Sequence, residues 1–328
     1  MSCSEASARY PPEYSKPLQD MISFATGRLD DELTRHVPFL AGRVGSWMSG
    51  LAVGAHPVSR LVTPEMFPMF LLPWWLARTL RADPEEAFES DLVYSTINGY
   101  YSIRLIDDIM DGEGASTIDL LPVAAFFHSR FQRSYSRHFG PDHDFWIDFD
   151  ASWLGSAELA YRDQCLVDVD HPAFAAVAGR KSCASHVPVA AVCHHYGRSD
   201  LILPWIGLCD LFGCFHQMLD DFVDWRRDAL SRRPTLFLTE ARRRKDPDET
   251  LFSWVLREGC MWAFSELERW MEHLRETAEG LGSVEASRYL TRRGLALRDW
   301  KKELIGGMHE LARLRQLFPC VIDEEPRS

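Results

Sequence analysis

Asp107-Asp108-Ile109-Met110-Asp111 and Asp220-Asp221-Phe222-Val223-Asp224 repeat one acidic pattern, each at the end of a long apolar stretch. On an α-helix the first and last Asp of each copy, four positions apart, share one face. The middle Asp lies about 100° round from the first. Like charges at that spacing repel and oppose the helix, so a divalent cation with oxygen ligands is the natural compensation. Two copies imply two walls facing one metal cluster.

Helices must carry those walls, and the rest of the chain reads as helical throughout. After a polar, proline-containing stretch over 1–16, helical periodicity starts near Leu18, with further helices predicted at 39–53 and 64–80. Asp83-Pro84-Glu85-Glu86 sets an N-cap, a first-position Pro and a capping-box Glu in order, opening a helix that runs to Asp111. Gly112 and Gly114 end it, so the first acidic copy occupies C-terminal turns, where the helix dipole disfavours negative charge by ~0.3–1 kcal/mol per exposed residue. Helices follow at 117–139, 144–166, 172–196 with a kink at Pro188, and 201–230, which carries the second copy. A short helix near 235–244 precedes a long one opened by Asp246-Pro247-Asp248-Glu249, whose apolar residues from Phe252 to Leu274 read as plain core. A charged last helix, 284–317, reads as lying at the surface. No segment sustains period-two alternation. The prediction is an all-α single-domain bundle of roughly ten or more helices around a central apolar cavity, spanning 17–318 between short tails at 1–16 and 319–328.

The segments ahead of the acids, Tyr100-Tyr101-Ser102-Ile103-Arg104-Leu105-Ile106 and 205–219, are too apolar to be solvated faces. Six carboxylates at the mouth of an apolar cavity suit a ligand with a hydrocarbon body and a polyanionic head bridged by Mg²⁺. Prenyl diphosphates have that shape.

The two acidic copies resemble the aspartate-rich motifs of the trans-isoprenyl diphosphate synthases. Gln217, three residues before Asp220, matches the glutamine of their second motif, with His216 in place of its phenylalanine. Lys181-Ser182 is similar to the family's lysine-threonine element, and Arg180 adds a neighbouring cation. The likeness covers roughly residues 60–235. Chain-elongating members also carry a glycine-lysine-any-two-arginine-proline element and paired arginines after the first motif. Here Ser59-Arg60-Leu61-Val62-Thr63-Pro64 and Gly112-Glu113-Gly114-Ala115 stand instead. Losing those cations while keeping the acids most resembles the class IB terpene synthases, which share the prenyl synthase fold.

That resemblance implies a Mg²⁺-dependent enzyme holding three ions with substrate bound, ligated by Asp107, Asp111 and Asp220 with Asp108, Asp221 and Asp224 as inner or outer ligands. It implies an anion clamp of Lys181 with Arg180, Arg226 and Arg227. It also implies a cation-stabilising cavity drawing on Tyr100, Tyr101, Trp153, Trp205, Phe212 and Phe215, and a homodimer formed by helices near the first motif. Ser102 with Ile103 leaves more room one turn before the acids than an aromatic pair would, which favours a C20 substrate over C15. Two other classes stay open: a prenyltransferase joining the allylic chain to isopentenyl diphosphate or another acceptor, and a non-catalytic partner subunit, although the latter would usually have lost acids from one copy.

Several features have plainer readings. Arg104 stands i,i+4 to Asp108 and is as well explained by a helix ion pair as by diphosphate sensing. His216 and His194-His195 lack a third ligand at zinc-like spacing. Arg288-Tyr289 resembles an arginine-tyrosine pair of many terpene synthases, but their asparagine-serine-glutamate motif is missing. Arg242-Arg243-Arg244-Lys245 reads as a solvated helix end. A net charge of −12 gives no electrostatic footprint for nucleic acid. Eight cysteines without a CxxC pair predict reduced core thiols. Met1-Ser2-Cys3-Ser4-Glu5 lacks the order of a signal peptide, and the longest apolar stretch, read as 66–80, is too short to span a bilayer, so a cytoplasmic protein is expected, not an integral membrane one.

Overall fold

The computed structural model describes residues 12–51, 61–62, 66–81, 83, 85–110, 118–181 and 185–317, with side chains to 308. The protein is all-α, as predicted. Helix α1 (Lys16–His36) begins slightly earlier than its periodicity suggested and buries Leu18, Ile22, Ala25, Leu29 and Leu33 along one stripe. Two short helices follow, α2 (Pro38–Gly50) and α3 (Leu71–Leu80). Helix α4 (Glu86–Met110) carries the first acidic copy and lies between α1 and α5 (Leu121–Tyr135). Two features fix it there. Gly99 lets the Phe131 ring come so close that an added Cβ would sit 2.9 Å from it. Asp91 gathers Arg28 at 3.4 Å, Arg137 at 2.7 Å and His138 at 3.1 Å, tying α1 and the end of α5 to α4.

The second copy sits on α9 (Ile202–Val223), which packs against α7 (His171–Lys181), α8 (His186–His195) and α13 (Cys260–Gly280). Helix α6 (Phe145–Gln164) covers α7 and α8 from the other side. The single helix predicted over 172–196 is therefore two. Pro188 is the third residue of α8, a first-turn position where a missing N–H breaks no intrahelical bond, so it causes no kink.

The helix predicted over 201–230 also divides. Asp224 leaves helical geometry (φ −94°, ψ 6°) between α9 and α10 (Trp225–Ser231), a break that keeps the last acid of the copy out of a continuous helix. Helix α11 (Leu236–Arg244) is capped by the Thr235 hydroxyl, which accepts from the Leu238 N–H. The next helix starts later than predicted, because Thr250 rather than Asp246 caps α12 (Leu251–Trp254). One π-turn, Val255–Gly259, joins α12 to α13 and sets Gly259 against the Trp254 ring. Phe252 is part-exposed, while Trp254, Phe264, Leu267, Met271 and Leu274 form core as expected.

Helix α14 (Val284–Leu317) is less peripheral than its charge suggested. It buries Ala286, Tyr289, Leu290 and Leu297 and sets Trp300 against Phe222 and Phe264. Among the described residues one helical stretch, Ser199–Val223, is long and apolar enough to cross a bilayer, which exceeds the 66–80 stretch taken as the longest. Half of it is buried inside the protein. Cys193, Cys209, Cys214 and Cys260 are buried free thiols and Cys165 an exposed one. Cys3, Cys183 and Cys320 lie outside the described residues.

Candidate active site

Within each acidic copy the middle carboxylate behaves differently from its neighbours. Asp108 is buried. Its Oδ2 accepts from the indole N–H of Trp47 on α2 at 2.9 Å, and its Oδ1 pairs with Arg104 at 2.7 Å. Asp221 is buried as well, accepting from the Gln217 amide at 2.7 Å and from the backbone N–H of Leu236, the first residue of α11, at 3.1 Å. Both middle acids thus lock their helix to a second element. Arg104 is an ion-pair partner of Asp108, and Gln217 is the companion of Asp221.

The flanking acids among the described residues are less enclosed. Asp107 is half-buried, Asp220 reaches solvent and Asp224 is half-buried at the α9–α10 break, where Arg227 pairs with it at 2.6 Å. Asp111 and the Gly112–Ala115 segment lie outside the described residues, as do Ser59, Arg60, Thr63, Pro64 and Ser182. Although solvent touches Asp220, protein surrounds it on most sides. Burial and then the Asp224 charge push its carboxyl up to about 6, against the pull of Lys181 and Arg227. Burial pushes Asp221 up to about 7, with the hydrogen bonds from Gln217 and Leu236 acting the other way.

Lys181 reaches this neighbourhood because α7 and α9 cross at glycines. A Cβ on Gly213 would stand 2.7 Å from the Gly179 carbonyl oxygen, and one on Gly179 would stand 2.9 Å from the Asp210 carbonyl oxygen. Two residues beyond that crossing, Lys181 Nζ meets Asp163 at 2.6 Å, and Arg233 approaches the same Asp163 oxygen at 3.5 Å. Arg180 and Arg226 are exposed and make no ion pair among the described residues, while Lys181 and Arg227 act on the Asp220 carboxyl.

The aromatic residues divide into groups. Phe212 and His216 share an α9 face with Phe67, Trp75 and Tyr289, Phe212 lying 6.3 Å from Phe67 and 6.1 Å from Tyr289 between ring centroids. Trp205 and Phe215 are buried on the same helix. Tyr101 packs on Trp47 at 5.7 Å and Phe127 at 5.6 Å, with Tyr100 against it at 5.3 Å. Ser102 is buried and Ile103 half-buried. Trp153 belongs to the α5–α6 layer instead, 4.6 Å from Phe131. The cavity of about 590 Å³ described below α10 and α11 is not the predicted central one, and no described cavity is lined by these aromatics.

Sequence reasoning missed Trp47 and Asp163. Neither shows a signal, since an indole far upstream and one acid in a polar helix end become partners only through tertiary packing. It also discounted Arg288-Tyr289, whose Tyr289 packs on Phe212 and Trp75. The Arg242–Lys245 run is an exposed helix end as read, where Arg243 and Arg244 also pair with Glu240 and Arg242 with Asp168.

No three His, Cys, Asp or Glu side chains among the described residues stand close enough to hold a metal by themselves. Mg²⁺ does not require such a cage, because it keeps waters and is bound through one or two carboxylates plus substrate phosphates. Asp220 and Asp224 stand near enough at the end of α9 for the charge of one to raise the other's carboxyl, and could supply such a pair of carboxylates. No protein-family model and no curated protein matches the chain, so this geometry carries the functional reading by itself.

Proposed function

We propose that the protein is a Mg²⁺-dependent terpene synthase that ionises a linear allylic prenyl diphosphate, C20 in preference to C15, and cyclises the resulting cation. The observation that carries this reading is the parallel between the two acidic copies. In each, the middle carboxylate is locked to the scaffold at the end of an apolar helix, while Asp107, Asp220 and Asp224 beside it are less buried.

Asp107, Asp220 and Asp224, with Asp111, would hold the metal, which when bound neutralises the diphosphate and makes it a good leaving group. Lys181 and Arg227 would take up charge as the ester C–O bond breaks and its electron pair leaves with the diphosphate. Asp163 keeps the Lys181 ammonium oriented, and Asp108 and Asp221 hold the two acidic helix ends. The apolar body of α9 excludes water, and ring faces such as Phe212 stabilise positive charge by ~0.5–2 kcal/mol each.

The test is incubation of the purified protein with Mg²⁺ and C10, C15, C20 or C25 allylic diphosphates, each with and without isopentenyl diphosphate, followed by mass spectrometry of extracts. A hydrocarbon or alcohol from one allylic diphosphate alone, abolished by Asp107→Ala, supports the reading. A longer diphosphate formed only with isopentenyl diphosphate would make the protein a chain-elongating prenyltransferase, and no product in any tube would point to a different acceptor or a partner-dependent subunit.

A further inference from the structure

Beneath α10 and α11 lies a cavity of about 590 Å³, within the roughly 300–1,000 Å³ typical of small-molecule sites. Its floor is apolar, made by Leu166 after α6, Leu238 and Ala241 on one face of α11, and Leu251 at the start of α12. Four cations, Arg232, Arg233, Arg242 and Lys245, stand around it. In a chain of net charge −12 that concentration is a local reversal of sign.

Two carboxylates offset part of it. Asp163 approaches Arg233 at 3.5 Å but is held more closely by Lys181, and Asp168 pairs with Arg242 at 3.2 Å in an exposed and therefore weak contact. Lys245 donates to the carbonyl oxygens of Asp246 and Glu249, and the Glu249 carboxylate, itself paired with Arg257, lies close enough to feel its charge. The Arg232 side chain makes no hydrogen bond or ion pair among the described residues. Its backbone is the one non-glycine in the left-handed region there, φ 58°. That backbone is the left-handed C-cap that ends α10, and it sets the Arg232 side chain on the cavity lining.

We propose that this cavity binds a single-chain anionic amphiphile with a phosphate head, its hydrocarbon tail on the Leu166, Leu238 and Leu251 floor and its head on Arg232, Arg242 and Lys245. With Asp163 shared with Lys181 and the Asp168 contact exposed, the four cations favour an anionic head group. Arginine forks also suit phosphate oxygens bidentately. None of the acids of the two copies lines this cavity, although its Arg233 shares Asp163 with Lys181, and its occupancy stands whether or not those acids act on prenyl diphosphates.

Titration calorimetry on the full chain in EDTA, with dodecyl phosphate below its micelle concentration and with dodecanol and inorganic phosphate as single-feature probes, tests this. Dodecyl phosphate is expected to bind at least about tenfold tighter than either probe, since each supplies one half of the recognition. Arg232→Gly, which removes the cation and relieves the left-handed φ, and Lys245→Glu should each weaken binding severalfold or more without lowering the thermal midpoint, while Asp107→Ala with Asp220→Ala should leave it unchanged. Equal affinity for dodecyl phosphate and dodecanol, no effect of the cation variants, or loss of binding in the double Asp variant would each overturn the proposal.

Discussion

Trp47 of α2 donates its indole N–H to Asp108 at 2.9 Å, joining two helices far apart in sequence at the carboxylate that also pairs with Arg104. Because Tyr101 and Phe127 hold the indole ring, the donor is aimed rather than free to swing. Trp47→Phe keeps most of that packing and removes the N–H. The expected result is a thermal midpoint within a few degrees of wild type, turnover of the preferred allylic diphosphate down by about tenfold, and a raised Mg²⁺ requirement, because the flanking Asp107 loses its fixed neighbour. Unchanged Mg²⁺ titration and turnover would show that Asp108 needs no such anchor.

Gly213 sits where α9 passes α7, with room for no side chain: a Cβ would meet the Gly179 and Ala178 carbonyl oxygens at 2.7 and 2.9 Å. Both are backbone atoms and cannot rotate away. Gly213→Ala should therefore separate the helices, destabilising the protein by ~1–3 kcal/mol and moving Lys181 away from Asp220. Denaturant unfolding measures the first effect and the KM for the diphosphate measures the second. A stable variant with unchanged KM would refute the claim that this crossing sets Lys181.

Lys181 is the cation closest to the role of an anion clamp, since it acts on Asp220 and is oriented by Asp163. Lys181→Met retains the aliphatic stem and deletes the charge. Its KM should rise by about ten- to a hundredfold, with a smaller change in stability because the Asp163 pair is only partly buried and Arg233 remains beside that acid. An effect on kcat alone would assign Lys181 to the chemical step rather than to substrate binding.

The helices were legible because their stripes are strong. Leu18, Ile22, Ala25, Leu29 and Leu33 on α1 recur at helical spacing and are buried as that spacing demands. Breaks were less legible. Nothing local marks Asp224 as the end of α9, since 201–230 is continuous in pattern and the i to i−4 bonds run across the break. The acids themselves were plain as a repeated pattern, but not their division of labour. Whether an Asp is locked or open depends on Trp47, Gln217 and the Leu236 N–H, and two of those three come from other elements. Trp153 shows the opposite failure, an aromatic at a plausible position whose helix delivers it to the α5–α6 layer.

Asp221 has the clearest pH signature. Burial raises its carboxyl to about 7 from an ordinary value near 4, so between those limits the folded protein holds a proton that the unfolded chain has released. Stability from this group is therefore greatest below about pH 4 and falls as pH rises towards 7, the reverse of a salt-bridged acid. Asp221→Asn cannot ionise, and its amide oxygen can still accept from the Leu236 N–H. In EDTA, denaturant titrations should show the variant gaining on wild type by on the order of 4 kcal/mol between about pH 4 and pH 8, with most of the gain below about pH 7. A constant difference across that range would mean that Asp221 is ionised in the fold throughout, stabilised by Gln217 and the α11 terminus strongly enough to outweigh its burial.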